Sequence, residues 1–320
     1  MVCQVCGNGE NNTEHEIAEM MFGIKEKFSY FQCCQCECLQ ILEIPEDLGR
    51  YYPKNYYSFS QPPPEKKKET LKILIKRGRD KWMFFRLGSA GKQSLSWLIK
   101  NKQKRCLLML NLSKQSRILD VGSGSGGYLQ SLVDIGFEDL TGVDPFIAED
   151  IKLSNGTKII KGALSGIKGQ WDLITFNHSF EHMPEPLNIL QSARSLLSDN
   201  GTCMLRVPIV SSFAWKYYGT HWVQIDAPRH LFLHSIESLR ILGKQAGFSI
   251  EDIVYDSNAF QFWGSEQASQ GIPLTSGRSW GKNRKRSIFS SERIREFKRR
   301  AKQLNRDEQG DQAIFLLKKV

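Results

Sequence analysis

The stretch SRILDVGSGSG at residues 116–126 constrains this chain more than any other. Ile118, Leu119 and Val121 form a short apolar run suited to a buried strand, and Gly122, Gly124 and Gly126 follow at once. The segment GYLQSLVDIGF then reads as a helix, and LTGVD as a second strand ending in Asp144. A strand–glycine loop–helix–strand unit of this kind belongs to a parallel α/β sheet. Its glycines let the backbone approach a nucleotide, while an acid at the tip of the second strand accepts hydrogen bonds from ribose hydroxyls.

Gly122, Gly124 and Gly127 also satisfy the spacing G-x-G-x-x-G, so a dinucleotide ligand has to be weighed. Asp120 argues against it, because a carboxylate two residues before the first glycine would face a pyrophosphate unfavourably. The same carboxylate suits a cationic ligand with an amino group, such as S-adenosylmethionine. The order downstream agrees with a Rossmann-like α/β sheet. WDLITFN (171–177) reads as a strand, PLNILQSARSLL (186–197) as a helix, SDNG as a turn and TCMLRVP (202–208) as a strand. SIESLRILGKQAGF (235–248) reads as a helix capped by Ser235 and stopped at Gly247, and SIEDIVYD and QAIFLLKK supply two late strands. Ligands of such sheets bind at the carboxyl ends of the strands, which puts Gly122, Asp144 and Asn177 on one rim.

Six of the eight cysteines fall within the first 38 residues. Cys3 and Cys6 form one C-x-x-C and Cys33 and Cys36 another, a pattern that lets four thiolates converge on one structural Zn²⁺. Cys34, Cys38 and His15 are alternative donors. Disulfides conflict with an N-terminus that shows no secretory signal, and the expectation is a cytosolic chain.

The net charge of +10 is unevenly spread. Residues 66–105 carry +12 and 278–306 carry +10, so the remainder is acidic. Leu71, Leu74 and Ile75 fit a helical stripe in the first basic segment, and with Trp82, Phe84 and Phe85 among its lysines and arginines the segment suits docking on the domain that follows or an anionic membrane surface. Basic segments imply an anionic partner: a phosphate-bearing small molecule, a membrane surface at which the chain is peripheral, or nucleic acid.

Taken together, DVGSGSG, GVDP, WDLITFNHSFEHMPEP and DAPRHLFLHS resemble class I S-adenosylmethionine-dependent methyltransferases. With the C-x-x-C pair in front, the chain looks like sugar methyltransferases of antibiotic and surface-polysaccharide pathways. The resemblance implies a mostly parallel sheet with its last strand antiparallel, a small N-terminal zinc-ribbon-like element and a late helical insertion. It also implies that Asp120, Gly122, Ser123, Gly124 and Gly126 hold the methionine end of the cofactor. Asp144 with Pro145 would hold the ribose, Ala163 within Gly162–Leu164 would lie by the adenine, and Asn177 would complete the rim. The base would be a histidine, with His230 and His178 as the candidates. Related sugar enzymes carry an acid before the histidine where this chain has Arg229, and that change suits an anionic acceptor.

The expected organisation is a zinc-binding element (1–60), a basic helical linker (61–105), a methyltransferase core (106–256 and 311–320) and a basic insertion on the substrate side (257–310). Phe260, Phe262 and Trp263 of the insertion would stack on a sugar ring or base, and Tyr217 and Tyr218 would line the pocket. The expected reaction is O-methylation of a small, anionic sugar or glycan precursor carried on a nucleotide or lipid diphosphate. An RNA substrate is the alternative, and it is disfavoured by FNHS standing where nucleic-acid enzymes carry an N/D-P-P-Y-type motif. A third reading keeps the cofactor fold as a non-catalytic scaffold.

Overall fold

Apolar runs and glycine breaks place the elements much as the sequence predicts. A computed structural model describes residues 1–53, 71–153 and 155–320, apart from the Lys72 side chain. The aromatic and proline-rich connector beyond Pro53 and the lysine run at 66–68 lie outside the described residues. In chain order the strands β1 (Thr13–Ala18), β2 (Lys27–Gln32) and β3 (Leu39–Ile41) come first, followed by helices α1 (Leu71–Phe85), α2 (Ser89–Leu95) and α3 (Lys102–Met109). Then come β4 (Ile118–Val121), α4 (Gly127–Ile135), β5 (Leu140–Asp144), β6 (Ile151–Lys152), β7 (Lys158–Lys161) and β8 (Trp171–Asn177). Next are α5 (Pro186–Leu196), β9 (Leu197–Pro208), α6 (Phe213–Tyr218), β10 (Phe232–Leu233), α7 (Ile236–Gln245) and β11 (Phe248–Tyr255). The chain closes with α8 (Phe260–Ser269), α9 (Ser291–Arg306) and β12 (Gln312–Lys319).

These elements form two compact units, one of residues 1–53, 180–190 and 206–315, the other of 54–179, 191–205 and 316–320. In the second unit the strand order is β9-β8-β4-β5-β7-β6. β4 pairs in parallel with both β5 and β8, and β5 with β7, while the short β6 is antiparallel to β7. Every residue of β4 is buried, which is why it reads as a continuous apolar run broken only by Asp120. β9 runs through SDNG, where the sequence suggests a turn. Gly201 permits this, because a Cβ there would lie 2.9 Å from the Trp171 carbonyl oxygen.

α1 belongs to this second unit but does not dock through the expected stripe. Leu71, Leu74 and Ile75 are all exposed. The docked face lies further along, where buried Met83 and Phe84 stand and the Phe84 and Phe85 rings meet Phe137 edge-on. Arg77 adds an ion pair with Asp134 of α4 at 2.9 Å. Periodicity alone could not choose between the two faces, since both carry apolar residues. No helix among the described residues is long and apolar enough to cross a membrane.

In the first unit an antiparallel sheet runs β1-β2-β3-β10, and β12 lies beside β11. Ser235 caps α7 as expected, in a reciprocal pair of hydrogen bonds with Ser238. The late insertion has a core of its own, in which Phe262, Phe289 and Phe297 bury against Ile294, Ala301 and Leu304. Phe262 is therefore a core residue rather than a stacking platform, and its ring stacks on Phe297 at 5.2 Å. The α9 pattern of Ile294, Phe297, Ala301 and Leu304 turns one apolar face inward and leaves Arg295, Lys298, Arg299 and Lys302 exposed.

Candidate cofactor site and histidine cluster

The cofactor-binding candidates all lie in the second unit, around the carboxyl ends of β4, β5, β7 and β8. After β4 the chain turns through Gly122, Gly124 and Gly126, all at positive φ, and enters α4. Gly122 has a specific reason to be glycine. Its φ is +73°, and a Cβ would sit 2.4 Å from the Ser179 Cβ. Ser179 holds that approach by donating from Oγ to the Val121 carbonyl at 2.6 Å.

Asp144 closes the loop from the other side. One carboxylate oxygen accepts from the Gly124 N–H and the other from the Phe146 N–H, each at 2.8 Å. The predicted ribose acid therefore also fixes the glycine loop. Ser123 turns its hydroxyl inward, to where a Cβ on Gly142 would meet it at 2.5 Å, so its contribution to a ligand is limited to its backbone. Asn177 accepts from the Gln103 side chain of α3 at 3.1 Å. A Cβ on Gly162, next to Ala163, would meet nothing within 4 Å, leaving open space at the place the adenine would need.

Asp120 is buried and accepts from the Thr175 hydroxyl at 2.7 Å. Burial pushes its pKa up to about 7, Thr175 pulls it down, and the nearby Asp144 raises it further. A buried carboxylate held near neutrality is stabilised in its charged form by a cationic ligand. Together with the glycine loop and the open space at Gly162, this donor set fits S-adenosylmethionine.

A pH dependence follows. Because the folded pKa lies above the ordinary 3.8, Asp120 adds stability to the ligand-free protein at low pH and loses that contribution as pH rises through about 7. Binding of the cationic ligand works in the opposite direction. Its affinity is expected to rise about tenfold between pH 6 and 8, in step with the ionised fraction of a group titrating at about 7. In Thr175→Val the midpoint should move to higher pH, because the hydrogen bond holding the pKa down is gone. Calorimetric titration across pH reads both effects, and a flat profile would remove Asp120 from ligand recognition.

The cysteine cluster lies in the first unit. Cys3, Cys6, Cys33 and Cys36 place their Sγ atoms within 4.8 Å of one another, with Cys3–Cys36 and Cys6–Cys33 each at 3.5 Å. Tetrahedral Zn–S bonds of about 2.3 Å require S···S separations near 3.8 Å, so the cluster fits a zinc ion, whereas disulfides would need about 2 Å. The two knuckles are built alike. Gly7 and Glu37 follow their respective second cysteines at positive φ, and each donates its N–H to the carbonyl of the first cysteine at 2.9 Å. The alternative donors stand elsewhere. Cys34 is exposed, Cys38 is buried 3.9 Å from His234, and His15 packs edge-on against Trp215.

His178 directly follows β8, half-buried, at a φ of +55° that a non-glycine residue seldom adopts. His230 lies in the first unit within a buried polar cluster. Its Nδ1 bonds the Gln224 carbonyl at 2.7 Å, and burial, with His182 beside it, pulls its pKa down to about 4. Arg229 is fully buried, so it is not available to an anionic acceptor. Its guanidinium meets Glu19 and Asp226 at 2.7 Å each and donates to the Tyr51 carbonyl at 3.1 Å. Glu19 in turn accepts backbone N–H bonds from Met21, Phe22, Gly23 and Ile24. Tyr217 is exposed, and Tyr218 bonds Glu266.

Residues 96–253 match the family described as a methyltransferase domain. Among curated proteins, a ubiquinone biosynthesis O-methyltransferase of Bordetella avium is 27% identical over 155 residues, which is 41% of this chain and 61% of that protein. One from Psychrobacter arcticus is 25% identical over 171 residues, covering 46% of this chain and 65% of that protein. The chain thus spans less than two thirds of the length of these relatives. A solved methyltransferase structure from Archaeoglobus fulgidus is 18% identical and covers 78% of this chain and all of that one, with a TM-score of 0.40. Residues 96–253, which include the glycine loop, Asp120 and Asp144, form an S-adenosylmethionine-dependent methyltransferase domain.

Proposed function

We propose that the chain transfers a methyl group from S-adenosylmethionine to an oxygen of a small, anionic acceptor, a sugar or glycan precursor carried on a nucleotide or lipid diphosphate. The observation that carries the cofactor half is the buried Asp120 beside a glycine loop tied to Asp144. The acceptor half is supported by the exposed cations of α9 and of the turn before it, Lys282, Arg284, Lys285 and Arg286. The relatives' role in O-methylation is compatible with an oxygen acceptor.

When bound, S-adenosylmethionine supplies a methyl group already activated on sulfur. The chain's own task is then to orient the acceptor and take the proton from its hydroxyl. His178 is the proposed base, because it follows directly on the strand whose end carries Asn177. His230, held neutral by burial, is the second candidate. The four cysteines would hold a structural zinc that keeps β1–β3 folded.

Incubating the protein with methyl-labelled S-adenosylmethionine and cell extract tests this reading. Label is expected in nucleotide-sugar or lipid-linked glycan fractions. Label confined to RNA, with binding that falls steeply as salt rises, would replace the acceptor by nucleic acid. No label in any fraction would favour a scaffold. In His178→Ala, kcat should fall about 10²–10⁴-fold with cofactor affinity kept. If His230→Ala alone loses turnover, the base is His230.

A further inference from the structure

We infer a second metal site, distinct from the four cysteines, in which Glu181, His182 and His230 bind a divalent transition-metal ion. One donor atom from each of these residues lies within 4.8 Å of the others. Glu181 is fully buried and His230 nearly so, and the two imidazole rings meet edge-on at 4.6 Å.

The hydrogen bonds around the rings fix what they offer. His182 Nδ1 lies 2.8 Å from the Arg229 carbonyl, and His230 Nδ1 lies 2.7 Å from the Gln224 carbonyl. A carbonyl oxygen only accepts, so each Nδ1 carries the proton and each Nε2 keeps a lone pair. Histidines that bind metals are oriented in this way, with the far ring nitrogen tied to backbone or carboxylate. The His230 Nε2 stands 3.9 Å from the Glu181 carboxylate and 4.0 Å from that of Asp226. Two donors each about 2.1 Å from one ion lie roughly 3–4.2 Å apart, so the 3.9 Å separation suits a shared ion.

Two imidazoles and one carboxylate leave coordination positions open, unlike four thiolates, which close the shell around zinc. An oxygen-bearing ligand can occupy those positions.

Cobalt(II) is the probe, titrated into protein whose cysteines are loaded with zinc. One Co²⁺ per chain is expected, with a weak d–d spectrum and no thiolate charge-transfer band. Glu181→Gln and His182→Gln should each weaken binding at least about tenfold, while His221→Ala, an exposed histidine outside the cluster, should leave it unchanged. A wild-type far-ultraviolet circular dichroism spectrum and thermal melting curve certify the fold of each variant. If Glu181→Gln does not fold, the half-buried His182→Gln carries the test. Absence of Co²⁺ binding in the wild type, a thiolate band only, or equal affinity in folded variants would overturn the site. Each of those results leaves methyl transfer to be judged separately by the labelling experiment.

Discussion

Gly122→Ala is expected to lose S-adenosylmethionine binding almost completely while the protein stays folded. Two costs add at this position. The backbone stands at a φ of +73°, where an L-residue costs about 1–2 kcal/mol. The new methyl would also lie 2.4 Å from the Ser179 Cβ, well inside contact distance. Ser179 cannot simply swing away, because its hydroxyl is bonded to the Val121 carbonyl and the contact is to its Cβ. Overpacking of this kind costs about 1–3 kcal/mol. Relief would come from moving the glycine loop off the Asp144 carboxylate that anchors Gly124. A total of about 2–5 kcal/mol corresponds to a loss of roughly 30- to 5,000-fold in affinity. Gly127→Ala is the control, since a Cβ there meets nothing within 4 Å. Calorimetry on both variants checks the claim, and equal affinities would show that the close approach at Gly122 does not shape the site.

The other large effect concerns the cysteines. The β1–β3 sheet is small, and β1 buries only Ile17 fully. Structural zinc in comparable small elements contributes about 10–16 kcal/mol of binding energy, which acts as folding energy. The purified chain is expected to carry one zinc ion, and stripping it with a chelator should release β1–β3 to rapid hydrogen exchange. β4, β5 and β8 lie in the other compact unit and should keep their protection. Cys36→Ser should reproduce the chelator's effect. Elemental analysis and hydrogen-exchange mass spectrometry read both outcomes. A zinc-free chain with a protected β1–β3 sheet would contradict the assignment.

Much of this architecture can be read from local sequence. The runs ILDV, LTGVD and WDLITFN coincide with β4, β5 and β8 because parallel strands buried over most of their length are mostly apolar. The C-x-x-C spacing similarly marked the four cysteines that converge, since each knuckle is closed by its own backbone. What sequence could not show are partners far apart in the chain. Arg229 looked available to an anionic acceptor, yet its partner Glu19 lies 210 residues earlier. Phe262 looked like a platform because its partner Phe297 sits on a different helix. Thr175 and Ser179 carry no signal in the sequence for the same reason. Each acts on β4, more than fifty residues away, and neither residue type announces such a role. Glu181 and His182 are adjacent in the sequence, but only the fold brings them to His230.

The central claim is that the loop from Asp120 to Gly126, tied to Asp144, holds S-adenosylmethionine. Calorimetric titration of the wild-type chain with S-adenosylmethionine, repeated with Asp144→Ala, tests it most directly. One molecule bound per wild-type chain, with affinity rising from pH 6 to 8 and lost in the folded variant, is the predicted result. A folded wild-type chain that binds no S-adenosylmethionine, or a variant that binds it as tightly as the wild type, would contradict the account.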